Sequence, residues 1–288
     1  MHVRPFEVLL LTNFSDACFR TIPVLAQMGD EVEMHLTIAH AVGDARRDRG
    51  ELEPKIRSFF PEADHYASCR RVVVPGRPVE AIRRIQVEHP VDLVVAPAGE
   101  RLGLPRFGHV SLRSRIVGQT GLPLLTFGPA VPRRRLGRPT MTVACCVEPD
   151  RVGGAHLRLA ATYARRLNAA LHVVQVLGDV SEASLTDLPY VQPLTGVEAL
   201  RLLRRSGVFA AFPPEVHTTS RGRLAAVLGA VDADVVFLDA ERWTTRQWLL
   251  ARVDPLVDAM PCPAVCVSGS RADLRWDLPQ NMSRAARG

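Results

Sequence analysis

Lysine is almost missing from this sequence. Of 36 basic residues in 288, Lys55 is the single lysine, and the rest of the basic set is arginine. No Gly-Lys-Ser/Thr phosphate loop exists, and no loop lysine is available for a Schiff base or a phosphate contact. There is no G-x-S-x-G nucleophile elbow and no H-E-x-x-H pair. The six cysteines, at 18, 69, 145, 146, 262 and 266, form no C-x-x-C pair and no zinc-spaced cluster with the nine histidines. They read as free buried thiols, and no metal site is expected. Cys145 and Cys146 are adjacent on an expected strand, so their side chains should point to opposite faces. No apolar run approaches the roughly 18 residues of a membrane span. The apolar run in "MHVRPFEVLLLTNFSD" is too short for a signal peptide, so a cytoplasmic protein is expected.

What is present is the balance of a globular chain: 47% hydrophobic and 23% charged residues, with a net charge of +6. The arginines are scattered among acids. Only "PRRRLGRP" (132–139) is a basic cluster, and without aromatic interleaving it reads as a solvated linker rather than a nucleic-acid surface.

The chain is written twice. "FEVLLLTNFSDA" (6–17) is an apolar strand ending in a turn, and "EVEMHLTIAHAV" (31–42) is a second strand. "SCRRVVVPGRPVEAIRRIQ" is strand, turn and helix, with Val79, Ala81, Ile82 and Ile85 as the helix's apolar face. "VDLVVAP" (91–97) and "LPLLTFG" (122–128) are the fourth and fifth strands. Pro23 breaks the first helical stretch, which must be kinked there or start late. The second half repeats the order: "MTVACCVEPD" (141–150), an amphipathic helix with Leu157, Ala160, Ala161 and Ala164 on one face, "ALHVVQVL" (170–177), "VEALRLLRR", "EVHTTS", "DADVVFLDA" and "CPAVCVSG" (262–269). Gly76-Arg77 answers Gly222-Arg223, and Asp92 answers Asp234. Alternating strands and helices predict an α/β fold with a parallel sheet and helices on both faces.

These stretches resemble the universal stress protein domain, twice over. "VLLLTNFSDA", "LTIAHAV", "VVVPGRPVEAI" and "DLVVAPAGERLGLPRFGHVSLRSRIVGQTGLPLL" carry the resemblance in the first half. "GRLAAVL", "DADVVFLDA" and "MPCPAVCV" carry it in the second. It implies two tandem Rossmann-like domains of adenine-nucleotide-hydrolase-like type, each a five-stranded parallel sheet, at 1–128 and 140–270. Residues 129–139 would be the linker and 271–288 a loose tail. A tandem chain of this kind resembles a covalent pseudo-dimer. The implied role is regulatory, non-enzymatic binding in a bacterial-type stress response, through a protein partner or self-association.

Nucleotide-binding members of that family resemble one another in an Asp after the first strand and a G-x2-G-x9-G-[ST] loop. Glycines let main-chain N–H groups approach phosphate, and the Ser or Thr opens a helix whose dipole favours anions. Here the Asp position holds Asn13. The glycine positions hold Pro97, which lacks an N–H, then Glu100, which is acidic, and Val110; only Ser111 matches. In the second half the Asp position is Val147 or Glu148. Its loop is two residues short, places Asp239 and Arg242 on glycine positions, and brings in Trp243 and Trp248. ATP binding is therefore not expected. The alternative is an ATP-binding switch in the first half alone. Its candidate pocket would comprise Thr12, Asn13, Ser15, Ala41, Gly99, Arg101, Gly103, Arg106, His109 and Ser111. His40 ends a strand, and either faces that crevice or caps a neighbouring backbone group. Glu148 and Asp150 read as turn and cap residues, and the two tryptophans, if exposed, as interface residues.

Overall fold

The computed structural model describes residues 4–43, 45–97, 111–131, 141–148, 155–177, 194–205, 214–240 and 254–268. Ten strands form one sheet: β1 (Phe6–Leu11), β2 (Met34–Val42), β3 (Ser68–Pro75), β4 (Leu93–Val95), β5 (Leu124–Thr126), β6 (Thr142–Val147), β7 (Ala170–Leu177), β8 (Glu215–Ser220), β9 (Val235–Asp239) and β10 (Ala264–Val267). Their spatial order is β3-β2-β1-β4-β5-β10-β9-β6-β7-β8. The order is the same from either end once β6–β10 are laid on β1–β5. Among the described residues every pairing within a half is parallel, and β5 and β10 alone pair antiparallel, Ala264 opposite Thr126. Each half thus covers the strand edge that the other would expose.

The apolar runs of the central strands have the composition of strands buried on both faces. Successive side chains feed opposite layers, and each layer runs through both halves. One holds Phe6, Val8, Leu10, Cys145, Val147, Phe237 and Val265; the other holds Leu9, Leu11, Cys146, Leu238 and Cys266. The adjacent pair Cys145 and Cys146 therefore divides between the layers as its place on a strand requires. All six cysteines are free thiols, five of them buried. Burial pushes the Cys146 thiol far above its ordinary range.

Helices cover both faces. On the first layer lie α1 (Asp16–Phe19), α2 (Ile22–Glu31), α3 (Ala45–Ser58), α6 (Ala155–Arg166) and α7 (Gly196–Arg205). On the second lie α4 (Pro78–Glu88), α5 (Leu112–Thr120), α8 (Leu224–Ala230) and α9 (Asp254–Ala259). In α4 the buried residues are Val79, Ala81, Ile82 and Ile85, the set the periodicity picks out. In α6 the buried set contains Leu157, Ala160, Ala161 and Ala164, and adds His156, Leu159 and Tyr163. Pro23 sits in the first turn of α2, where its missing N–H costs nothing, so the helix starts late. The Gly-Arg turns differ in conformation. Gly76 has φ of +111°, a region open to glycine, whereas Gly222 lies in a short 3-10 turn without a positive φ.

Two repeated devices brace the sheet. Asp92, almost fully buried, accepts a hydrogen bond from the Glu7 amide at 3.1 Å and pairs with Arg4 at 2.6 Å. Asp234 does the same work in the second half, accepting from the Thr142 amide at 2.7 Å. Both follow the helix before a strand and tie down the start of the neighbouring one. Across the junction, buried Arg113 of α5 donates to the Phe127 carbonyl at 2.6 Å and pairs with Asp258 of α9 at 2.9 Å. Gly128 passes so close to α9 that a Cβ there would lie 2.2 Å from the Val257 carbonyl. Among the described residues, no helix is long and apolar enough to cross a membrane.

Candidate functional site

In each half the chain leaves its first strand for one side of the sheet and returns on the other. β1 lies between β2 and β4, and β6 between β7 and β9. In open parallel sheets a crevice forms beyond the carboxyl ends of the two strands where the direction of winding reverses. The first crevice is bordered by the turn after β1, the end of β4 and the start of α5.

The turn is closed on itself. The Thr12 amide continues the ladder to the Ala39 carbonyl at 2.9 Å, and the Thr12 hydroxyl accepts from the Phe14 amide at 3.0 Å. Asn13 Oδ1 accepts from the Ser15 amide at 3.1 Å and from the Cys18 thiol at 3.0 Å, an Asx-type turn that opens α1. The Asn13 amide in turn donates to Cys18 Sγ at 3.3 Å. Phe14 adopts φ of +61°, a left-handed conformation uncommon for a bulky residue. Its ring stacks on His40, centroids 4.6 Å apart, and meets Phe59 edge-on at 5.8 Å. His40 Nδ1 lies 2.7 Å from the Thr12 carbonyl, so the histidine serves a neighbouring backbone group. Ala41 lies on β2, one residue beyond His40.

Ser111 sits where the resemblance puts it, as the N-cap of α5. Its hydroxyl oxygen accepts from the Ser114 amide at 3.2 Å and is also within bonding reach of Ser114 Oγ. Arg113, in the first turn of the same helix, has its guanidinium bonded to the Phe127 carbonyl and Asp258. Of the ten expected pocket residues, Thr12, Asn13, Ser15, Ala41 and Ser111 are described. Gly99, Arg101, Gly103, Arg106 and His109 lie outside the described residues, as do Trp243, Trp248 and Asp150.

The second crevice holds an arrangement that sequence reading does not bring out. Asp239 ends β9 and is buried. His156, buried in the first turn of α6, places Nδ1 4.0 Å from Asp239 Oδ2. The two are 83 residues apart in the chain. The signal was the acid itself, which stands at a glycine position of the resembled loop. A buried carboxylate there opposes a phosphate on charge alone.

Two other polar features lie away from these crevices. A shallow cleft lined by Gly29, Asp30, Glu33, His65 and Tyr66 opens near the amino end of β2, and its acids make it unsuited to anions. Burial and then Asp30 push the Tyr66 hydroxyl up to about 12. At the opposite edge of the sheet, His172, Glu215 and His217 converge across β7 and β8.

No protein-family model matches the chain, and no curated protein matches it. Solved structures do. A universal stress protein from Archaeoglobus fulgidus superposes with a TM-score of 0.61 at 14% identity, over 91% of this chain and 98% of its own. A Pseudomonas aeruginosa protein of unknown function gives 0.57 at 14% identity, over 92% and 93%. A second Pseudomonas aeruginosa protein, named for the universal stress proteins, gives 0.56 at 14% identity, over 92% and 94%. Likeness at this identity concerns the backbone, and the sites must be argued from this chain's own residues.

Proposed function

We propose that this chain, which has the fold of the universal stress proteins across both halves of its sheet, acts as a non-enzymatic binding protein that does not use ATP. One observation carries the reading: the described groups at the turn bordering the first crevice are engaged with one another. Asn13 Oδ1, at the position of the resembled nucleotide-binding Asp, is spent on the Ser15 amide and the Cys18 thiol. Phe14 stacks on His40 beside that turn. Pro97 offers no amide to a phosphate. In the second crevice Asp239 presents a carboxylate in the corresponding place.

The role that follows is regulation through a protein partner or a second copy of the chain. Calorimetric titration with ATP and Mg²⁺ tests it. No saturable heat is expected, and binding in the micromolar range overturns the proposal. A second reading, an ATP switch in the first half, is favoured by Ser111 alone, which caps the amino end of a nine-residue helix. Under that reading the titration shows binding, and Ser111→Ala removes it.

A further inference from the structure

We propose that His172, Glu215 and His217 form a binding site for one first-row divalent metal ion of the zinc type, clipping the edge strand β8 to β7. His172 stands directly opposite Glu215 in the parallel register, and His217 is two residues further along β8. A spacing of two puts Glu215 and His217 on one face, and the register puts His172 on that same face. The ligand atoms all lie within 4.8 Å of one another. His172 Nδ1 is 3.0 Å from His217 Nε2 and 3.6 Å from Glu215 Oε2. Zinc bonds near 2.05 Å at tetrahedral angles separate neighbouring ligand atoms by about 3.3 Å. The two spacings at His172 bracket that value, and the Glu215–His217 spacing, within 4.8 Å, can adjust through the exposed Glu215 side chain. The imidazole planes are 13° from parallel, with centroids 5.3 Å apart.

Burial holds the His172 imidazole below its ordinary range against the opposing pull of Glu215, with His217 adding a smaller push downward. Neutral imidazole is the form that ligates. Glu215 is largely exposed and supplies a carboxylate at the solvent side. Two imidazoles and a carboxylate leave one tetrahedral position for water or an outside ligand.

The other half of the molecule serves as an internal control. The Glu7 and Thr142 amides donate equivalent hydrogen bonds to Asp92 and Asp234, which sets the correspondence between the halves. Glu7 pairs with His35 and Thr142 with Ala170. Two residues further along, Thr37 stands for His172, and across the ladder Arg70 and Val72 stand for Glu215 and His217. None of these three is a metal ligand, and Arg70 is a cation. The cluster is therefore not imposed by the shared architecture.

The test is titration of the full chain with Zn²⁺ against a chromophoric chelator, with Co²⁺ as spectroscopic probe. The expected result is one saturable site, a Co²⁺ spectrum without thiolate charge transfer, and affinity reduced by at least about tenfold in His172→Ala and His217→Ala. The site is overturned if Zn²⁺ binds equally well to both variants, if the Co²⁺ spectrum shows thiolate ligation, or if the chain binds no Zn²⁺. Should the alanine variants fail to fold, the imidazole ¹⁵N resonances of the unaltered protein decide. His172 and His217 must shift together on adding Zn²⁺, and unmoved resonances leave only a hydrogen-bonded histidine pair.

Discussion

Phe14 is the residue whose backbone and side chain pull in different directions. Its φ of +61° costs a residue with a Cβ about 1–2 kcal/mol, while its ring is anchored on His40 and Phe59. The ring contacts hold the turn in a conformation that the backbone alone would not choose. This yields an ordering. Phe14→Ala loses the ring and keeps the backbone cost, whereas Phe14→Gly loses the ring and relieves the cost. The glycine variant is expected to be the more stable of the two by about 1 kcal/mol, the reverse of the usual effect of glycine on chain entropy. Urea unfolding of both variants measures it, and an alanine variant that is the more stable removes the argument. The sequence showed a turn here, through Asn13 and Ser15. It could not show that Phe14 would turn back over His40, because that contact joins strands whose pairing is set by the whole sheet.

At the scale of elements, the strands are held at their starts as well as along their ladders. The buried Asp234 carboxylate satisfies the Thr142 amide at the head of β6. Asp234→Ala should leave that amide unsatisfied and destabilise the protein by about 1–3 kcal/mol. Hydrogen exchange should report the loss first at Thr142, and an unchanged exchange rate there would sink the assignment. The helices follow the same local logic. Pro23 and Pro78 stand in first turns, and Thr195 with Glu198 closes a capping box on α7, amide to carboxylate at 2.9 Å and amide to hydroxyl at 3.2 Å. Such features are legible in a sequence because they involve residues within four positions of each other. The buried faces of α4 and α6 were legible for the same reason. His156 was not. It interrupts an apolar face, and only the placement of β9 shows that it meets Asp239.

The whole molecule depends on a seam between β5 and β10, short and antiparallel, braced by Arg113 and Asp258. Arg113 is buried, and Asp258 is mostly withdrawn from water. Removing the carboxylate leaves a buried guanidinium without this ion pair. Asp258→Ala is expected to cost about 3 kcal/mol and lower the melting temperature by about 5 °C. Because the pair joins the halves, the loss should also separate their unfolding. Scanning calorimetry would then show a broadened or split transition. A single transition at the original temperature would mean that the apolar layers alone hold the seam.

By itself the sequence determined the two α/β units, the order of their strands and helices, the faces that are buried and the loss of the glycine register at the nucleotide loop. Those properties rest on period, on turn chemistry and on spacing, all of which are local. The tertiary structure decided the rest. It joined ten strands into one sheet by pairing two edges that each half would otherwise expose. It stacked Phe14 on His40, set His156 against Asp239, and gathered His172 with Glu215 and His217 at the sheet's outer edge. Each of these last contacts joins residues brought together only by strand register or helix packing. No window of sequence contains both partners of the distant pairs, so no local pattern could announce them.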